Sequence, residues 1–406
     1  MGLQAVIFAA GKGTRAYPLT LTRPKPLLKA GNKTILEHNL EQLSQTESVD
    51  EILIVIGYKG SMIKKAIGDE FKGMKITYAE QKDQLGTGDA LLAAESHLKE
   101  HFIAMNGDDL FYADDIVKIL NEKNAVLVKK VDDPSNYGVY VISSGYAKML
   151  VEKPDEFVSD MANMGCYKLE KSILKHKDRV ESSIRGEIEI TDFISALMKE
   201  EKVKCIEADR WQPVPHSWDL LNANKAILSG IKRDIQGDVE QNVTIKGEVI
   251  IGKGTVVKAG VYIEGPVVIG ENCSIGPNAY IRPSTSIGDN VKIGHEVEIK
   301  NCIIMDNSAV PHLSYAGDSI LGENVNFAAG CVTANMRHDK GLIRTSMRKE
   351  IEGPVKEELI DTGLTKFGTI IGDNVKLGVK TIIYPGRKIW PGKSTLPGEV
   401  VKRDVV

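Results

Sequence analysis

Between Phe8 and Leu28 the chain reads FAAGKGTRAYPLTLTRPKPLL, which places two glycines, an arginine and a lysine in one loop behind a short apolar run, Leu3 to Phe8. Gly11 and Gly13 permit positive φ and close backbone approach, so successive N–H groups can converge on an anion. Arg15 and Lys25 add the fixed positive charge that a polyphosphate requires. The third glycine of the dinucleotide fingerprint and the Gly-Lys-Ser/Thr ending of a P-loop are both missing, which excludes those motifs. Pro24 and Pro26 fix the backbone on either side of Lys25, and Leu27-Leu28 then leads towards a helix. The chemistry indicated is the handling of nucleotide phosphates.

Further residues of the same kind follow. Asn106-Gly107-Asp108 stands at the end of an apolar strand, where a carboxylate is suited to ligate Mg²⁺; an Asx turn is the plain alternative reading, and Asp109 is the local alternative ligand. Gln81 precedes Gln84-Leu85-Gly86-Thr87-Gly88, and its amide offers the donor and acceptor that match the imide edge of uracil or thymine. In the carboxyl half, Tyr280-Ile281-Arg282-Pro283, Glu298-Ile299-Lys300 and His312-Leu313-Ser314-Tyr315-Ala316-Gly317-Asp318 occur in sequence, followed by Asn326, Asn335 and Thr365-Lys366-Phe367. Imidazole ionises near neutrality and suits a proton acceptor, although a histidine in an apolar stretch is often structural.

Two kinds of element must position these groups. Up to about Leu228 short apolar strands (Leu3–Phe8, Ile52–Ile56, Ile76–Ala79, Phe102–Met105) alternate with helical stretches near Ile35–Leu43, Ala90–Leu98 and Asp115–Leu120. That alternation predicts a mostly parallel sheet with helices on both faces, and ligands beyond the carboxyl ends of its strands. After Gly237 the period becomes six: Val239, Ile245, Ile251, Val257, Ile263, Ile269, Ile275, Ile281, Ile287, Ile293, Ile299 and Met305 share one register. The register returns at Ile371, Leu377, Ile383 and Ile389. Such a period fits a parallel β-helix of hexapeptides. Met336 to Thr365 breaks it with charged, helix-like sequence and reads as an insertion leaving the coil.

A length of 406 residues implies two domains, expected at 1–232 and 238–406 with an insertion around 336–365. The net charge of −3 gives no general attraction to nucleic acid or anionic membrane. No apolar run approaches a membrane span, and the amino terminus lacks a signal-peptide pattern. Cys166, Cys205, Cys273, Cys302 and Cys331 are dispersed without a Cys-x-x-Cys pair, and read as small buried residues in a reducing compartment, the cytoplasm.

Gly11 to Arg15, Pro18 to Thr20 and Pro24 to Pro26 resemble the Gly-x-Gly-Thr-Arg, Pro-Leu-Thr, Pro-Lys-Pro signature of the sugar-1-phosphate nucleotidylyltransferases, over roughly the first 230 residues. The resemblance implies an α/β Rossmann-like nucleotidyltransferase domain in which Arg15 holds the leaving pyrophosphate and Lys25 bridges to the reacting phosphates. Ala10, Gly11, Gly13, Thr14, Gln81, Gly86 and Thr87 would bind a pyrimidine nucleotide, UTP or dTTP, with Asp108 on Mg²⁺. Gly138, Glu152, Lys153 and Asn163 would bind the sugar-1-phosphate, though Glu152-Lys153 alone reads as a solvated pair. One departure stands out: the family's late metal-binding carboxylate is replaced by a proline-rich segment, Trp211 to Trp218, and Asp219 is the nearest substitute.

The hexad half resembles the acetyltransferase domain of the bifunctional enzymes that acetylate glucosamine-1-phosphate and then uridylylate it, which implies a left-handed parallel β-helix. Arg282 and Lys300 would clamp the sugar phosphate, Tyr315 and Asn326 orient the amino sugar, and His312 act as catalytic base towards acetyl-CoA, the co-substrate. Asn335 and Lys366 would complete this site, which in the family lies between subunits of a homotrimer. Two alternatives stand beside this reading: a glucose-1-phosphate uridylyl- or thymidylyltransferase whose β-helix only assembles the oligomer, and a catalytically silent regulatory subunit.

Overall fold

The computed structural model describes residues 2–180, 186–349 and 356–406. The chain forms two compact units: one of Met1–Lys12, Pro24–Leu27 and Ile35–Pro213, the other of Gly13–Arg23, Leu28–Thr34 and Val214–Val406.

In the first unit β1 (Leu3–Ala9), β2 (Val49–Ile56), β3 (Met74–Glu80) and β4 (His101–Asn106) run parallel in the order β3-β2-β1-β4. β1, β2 and β4 run apolar without alternation because both faces are covered, whereas β3 (MKITYAE) carries exposed polar residues. Ile7, Ile54 and Ile103 pack on one face with Leu36 and Leu40 of α1 (Ile35–Gln45). Val6, Phe8, Leu53 and Phe102 pack on the other with Leu91 of α2 (Thr87–Ala93) and Phe193 of α3 (Ile190–Leu197).

The ten-stranded sheet is mixed rather than mostly parallel. Beyond β4 come β5 (Ala125–Lys130), β6 (Gly138–Ser143), β7 (Tyr146–Glu152), β8 (Met161–Glu170) and β9 (Lys204–Glu207). Strand β8 is antiparallel to β4, β5 and β6, and β6 and β7 form a hairpin. Its turn is the pair Ser144-Gly145, both at positive φ (52° and 81°), a geometry that forces adjacent strands to run antiparallel.

The hexad coils of the second unit form three parallel sheets of eight, seven and eight strands, visited in turn. Val249–Ile251 pairs with Val267–Ile269, and that with Thr285–Ile287. The side chains pointing inward, such as Ile251, Ile263, Ile275 and Ile293, are fully buried and make one continuous apolar column. Corners are turned by residues in the left-handed region, among them Asn272, Asn290 and Asn307 at φ 55°, 57° and 59°. These parallel sheets are consistent with a β-helix.

Two expectations about these coils need correction. Met305 does not continue the column: Ile304 pairs with Ile287 and with Leu321, because the coil after Ile287 is one residue shorter. The Met336–Thr365 stretch is not helical among its described residues. Arg344–Lys349 and Lys356–Asp361 pair as antiparallel strands, with Arg344 opposite Asp361 and the two side chains in an ion pair at 3.1 Å. Opposite charges facing each other across two strands support such a pairing. The excursion begins and ends at a Met336–Lys366 bridge, after which Ile371 stacks on Leu321.

Candidate functional site

Three parallel strands of the first unit deliver candidate groups at their carboxyl ends. Ala10 follows β1 and its carbonyl accepts the N–H of Tyr58 at 3.0 Å. Gln81 follows β3 and Asp108 follows β4. The N–H of Gly107 donates to the Phe8 carbonyl at 2.9 Å, tying the two strand ends together.

Lys25, only 5% exposed, lies in a short 3-10 turn (Lys25–Leu27), and its Nζ donates to Asp108 Oδ2 at 2.6 Å. Asp108 remains partly exposed, so the pair joins a fixed buried cation to a carboxylate that solvent can reach. The neighbouring Asp109 carbonyl accepts from Asn39 Nδ2 at 2.8 Å, so its backbone is anchored on α1. No cluster of three or more His, Cys, Asp or Glu side chains occurs among the described residues. That donor set suits Mg²⁺, which takes one or two carboxylates and completes its shell with water and phosphate oxygens, and does not suit zinc.

Gln81 is buried, and its Nε2 donates both to the Gly86 carbonyl (3.0 Å) and to Asp89 Oδ2 (2.7 Å). Among the described residues its Oε1 accepts no hydrogen bond. Gly86 stands at φ 105°, and a Cβ there would lie 2.3 Å from the Ile188 carbonyl oxygen, so only glycine fits. The Thr87 hydroxyl donates to Glu189 Oε2 at 2.6 Å and accepts from the Ile190 N–H at 2.9 Å. Thr87 therefore holds the loop on the start of α3. Asp89 and Glu189, which shape this loop, are not apparent from motif spacing.

Gly138 and Glu152 are paired across the β6–β7 hairpin, and a Cβ on Gly138 would meet Glu152 Oε2 at 2.6 Å. Asn163 on β8 follows Ala162, which pairs with Val139. Its amide is set by the buried Tyr167 hydroxyl (2.8 Å) and the Gly165 N–H (3.2 Å). These three sugar candidates thus come from adjoining strands, while Lys153 follows at φ 45° with its N–H on the Tyr137 carbonyl. Trp211, with its ring centroid 5.1 Å from that of Tyr137, keeps a buried indole N–H with no partner among the described residues. Sequence reasoning assigned it no role.

In the second unit Gly13 (φ 64°) starts the Thr14–Ala16 turn, and its carbonyl accepts from the Ala16 N–H and the Thr20 hydroxyl. Arg15 on that turn is exposed and makes no ion pair among the described residues. Asp219 opens a helix, Asp219–Leu228, and its Oδ2 accepts the His216 N–H at 2.8 Å with the ring Nδ1 at 3.2 Å.

His216 stacks on Trp218 at 4.3 Å, and the ammonium of Lys388 lies 5.5 Å from the Trp218 ring while donating to the Ser346 carbonyl. Burial pushes Lys388 down from 10.5 to about 8, against the attraction of Asp404 and with Arg387 adding to the lowering. Between these values the unfolded chain binds more protons, so stability rises with pH; below pH 8 both states are charged and the fold bears the full cost of burying the ammonium. Lys388→Met is therefore expected to stabilise the protein at pH 7 by about 2 kcal/mol, a gain that shrinks as the pH is raised past 8. Chemical denaturation at pH 7 and 9.5 measures it.

The hexad candidates divide between two sheets. Arg282 donates to Glu298 Oε1 at 2.8 Å, and its Nε is buried without a partner among the described residues. Lys300 Nζ lies 3.2 Å from Asp318 Oδ2, Asn301 Nδ2 is 2.7 Å from Asp318 Oδ1, and Asn335 Nδ2 donates to both Asp318 and the Tyr315 hydroxyl. Asp318, 3% exposed, is thus the hub of this cluster, and no motif marks it as such. Burial and then the Asp318 charge push the Tyr315 phenol up, so it stays protonated and able to donate.

His312 lies on the adjoining sheet, stacked on His295 of the preceding coil, with an exposed ring. Asn326 pairs with Ala309 and Lys376 on that same sheet, so one chain does not bring it to the face carrying Tyr315. Lys366 stands beside Asn335 at the root of the excursion, its side chain exposed. The five cysteines are free and none but Cys205 has more than slight exposure; among the described residues no helix is long and apolar enough to cross a membrane.

Residues 4–230 match the nucleotidyl transferase family model, and residues 263–396 match that of the GMPPB C-terminal domain. The bifunctional protein GlmU of Methanocaldococcus jannaschii is 42% identical, over 99% of this chain and 96% of that protein. The bifunctional sugar-1-phosphate nucleotidylyltransferase/acetyltransferase of Sulfurisphaera tokodaii is 38% identical over 99% and 98%. A crystal structure of a glucose-1-phosphate thymidylyltransferase from Bacillus anthracis superposes with a TM-score of 0.52 at 28% identity, covering 57% of this chain and 98% of that one. With its nucleotidyltransferase sheet and its hexad coils in one chain, the protein belongs to the family of bifunctional sugar-1-phosphate nucleotidylyltransferase/acetyltransferases.

Proposed function

We propose that the protein acetylates glucosamine-1-phosphate, or galactosamine-1-phosphate, with acetyl-CoA and then joins the product to a uridylyl group. The second step turns UTP and N-acetylglucosamine-1-phosphate into UDP-N-acetylglucosamine and pyrophosphate; dTTP presents the same imide edge as UTP. The observation that carries the reading is the buried Lys25 held 2.6 Å from the strand-end carboxylate of Asp108. Functionally, residues 1–232 form the nucleotidylyltransferase domain and 238–406 the acetyltransferase domain, a left-handed β-helix with its insertion at 336–365.

In nucleotidyl transfer an oxygen of the sugar phosphate bonds to the α-phosphorus and the bond to pyrophosphate breaks, so no protein nucleophile is needed. Catalysis consists of aligning two polyanions and neutralising them. Gly11, Gly13 and the neighbouring Ala10 and Thr14 offer backbone N–H groups, while Arg15 and Lys25 supply charge. Gln81, with both amide hydrogens committed to its own loop, turns Oε1 towards the N3–H of the pyrimidine. Gly138, Glu152 and Asn163 meet sugar hydroxyls and Lys153 the sugar phosphate. Asp108, and Asp219 as a second ligand, would hold Mg²⁺, which when bound offsets the charge developing on the phosphates.

In acetyl transfer Arg282 and Lys300 clamp the sugar phosphate while Tyr315, Asn326, Asn335 and Lys366 orient the amino sugar and acetyl-CoA. His312 takes a proton from the ammonium. The freed amine bonds to the thioester carbonyl, and CoA leaves as the thiol. The third sheet turns Val332, Ile382 and Val400 outward, 37%, 42% and 41% exposed, an apolar strip suited to contact with other copies in a homotrimer. Asn326 of one copy would then serve the Tyr315 face of the next.

Incubation with Mg²⁺, acetyl-CoA, either amino-sugar phosphate, and UTP or dTTP, followed by mass identification of the nucleotide sugar, tests both steps. CoA release with glucosamine-1-phosphate supports the reading. Its absence, with nucleotidyl transfer intact, would leave the coils as a scaffold.

A further inference from the structure

Residues 13–23 and 28–34 belong to the second unit and are held there by side chains already committed to partners of their own. Arg23 is 7% exposed and extends one arm of its guanidinium to Glu323 and the other to Asp373 Oδ2 at 2.5 Å. The two carboxylates stand on successive coils locked to each other: the Glu323 N–H donates to Asp373 Oδ1 at 2.8 Å, and the Asn374 N–H to the Glu323 carbonyl at 2.8 Å. A planar fork that satisfies two separate carboxylates is a task for arginine, since lysine offers a point charge. Past Lys25 the chain is held again. Lys29 Nζ reaches Asp306 Oδ2 at 2.5 Å, Asn32 Nδ2 reaches the Ile287 carbonyl at 2.6 Å, and the Gly31 N–H donates to Asn224 Oδ1 at 2.7 Å. Ahead of it, the Thr14–Ala16 turn lies beside the Arg344–Lys349 strand.

These holds fall on both sides of Lys25 in the sequence, and the short path from Arg23 to Lys25 passes through Pro24, whose ring removes most of the backbone freedom. We propose that Arg23 is a positioning residue for nucleotidyl transfer: Glu323 and Asp373 fix it so that the proline-locked segment presents Lys25 in its reacting place. The inference rests on the role given to Lys25 under Proposed function. Paired charges this buried are costly to desolvate and add little net stability over an apolar contact, so geometry is the better account of why they are present.

The test uses the full-length protein and measures pyrophosphate release from UTP and N-acetylglucosamine-1-phosphate alongside CoA release from acetyl-CoA and glucosamine-1-phosphate. Arg23→Ala is expected to lower the kcat for pyrophosphate release by about thirtyfold, as a displacement of the order of 1 Å does, with KM for UTP changed less than about threefold and CoA release unchanged. Arg23→Lys recovers part of the loss. Adding Arg23→Ala to Glu323→Gln/Asp373→Asn costs far less than adding it to the wild type, because the clamp is already open. If Arg23→Ala does not fold, Arg23→Lys is read alone and is expected to lose about fivefold in kcat. A folded variant with kcat within about twofold of wild type overturns the inference, as do parallel losses of both activities with a lowered melting temperature. Lys25→Ala is measured beside it: undiminished pyrophosphate release there overturns the role of Lys25 itself, whereas loss in Lys25→Ala with retention in Arg23→Ala overturns only the positioning role of Arg23.

Discussion

Lys25→Ala is expected to lower pyrophosphate release from UTP and N-acetylglucosamine-1-phosphate by about a thousandfold, the scale of losing a preorganised charge on a transferring phosphoryl group. CoA release from acetyl-CoA and glucosamine-1-phosphate stays at the wild-type rate. Two effects add up at this position. The triphosphate loses its buried cation, and Asp108 loses the ammonium 2.6 Å away that neutralises it before substrate arrives. Lys25→Arg does not restore the rate, because a forked guanidinium cannot occupy a niche that leaves the lysine side chain only 6% exposed. A variant that keeps a tenth of the wild-type rate while folding normally would remove Lys25 from the mechanism.

His312→Ala is expected to have the converse effect. Acetyl transfer falls by about a hundred- to ten-thousandfold, the range spanned by loss of a general base, while uridylylation of ready-made N-acetylglucosamine-1-phosphate is untouched. The exposed ring of His312 makes no hydrogen bond among the described residues, so its removal leaves no buried partner unsatisfied, and the melting temperature should hold. Stopped reactions supplied in parallel with amino sugar phosphate and with acetylated sugar phosphate separate the two steps. Loss of both activities from this one change, in a folded protein, would sink the two-site arrangement.

The fold was legible where a single repeat governed it. Hexads from Ile251 to Ile299 map directly onto the buried column, since a coil can stack only if the same positions turn inward each time, while Val239, in the first coil, stays exposed. The reading slipped at Met305 because a coil one residue shorter still presents an apolar neighbour, and period alone cannot tell Ile304 from Met305. In the first unit the strands carrying Ala10, Gln81 and Asp108 were visible as apolar runs, whereas the β6–β7 hairpin was not. Its signal was the Ser144-Gly145 pair, which is short and lies between strands of weak alternation.

Among the candidate residues, those visible in sequence are the ones that would touch substrate, because phosphate, imide and amine chemistry each call for a few side-chain types. The residues that hold them are diffuse. Asp318 gathers Lys300, Asn301 and Asn335 from two places in the chain, and Glu189 meets Thr87 from about a hundred residues away. Arg23 was in plain view within the signature, yet its partners, 300 and 350 residues on, belong to no motif. Long-range pairs of this kind depend on register, which a sequence read locally does not carry.

The Met336–Lys366 bridge has a consequence for how such a protein changes over time. Because Ile371 takes the place above Leu321 whatever intervenes, the stack does not register how much chain leaves and returns at that doorway. The closure entropy of a loop grows only with the logarithm of its length, so lengthening the excursion carries a small penalty in folding as long as Thr345 and Ser346, buried against the coils, keep their places. The doorway opens next to Asn335 and Lys366, and the excursion runs beside the Thr14–Ala16 turn. Variation confined to the excursion can therefore alter what borders the Thr14–Ala16 turn and Asn335 while the spine beneath it stays the same.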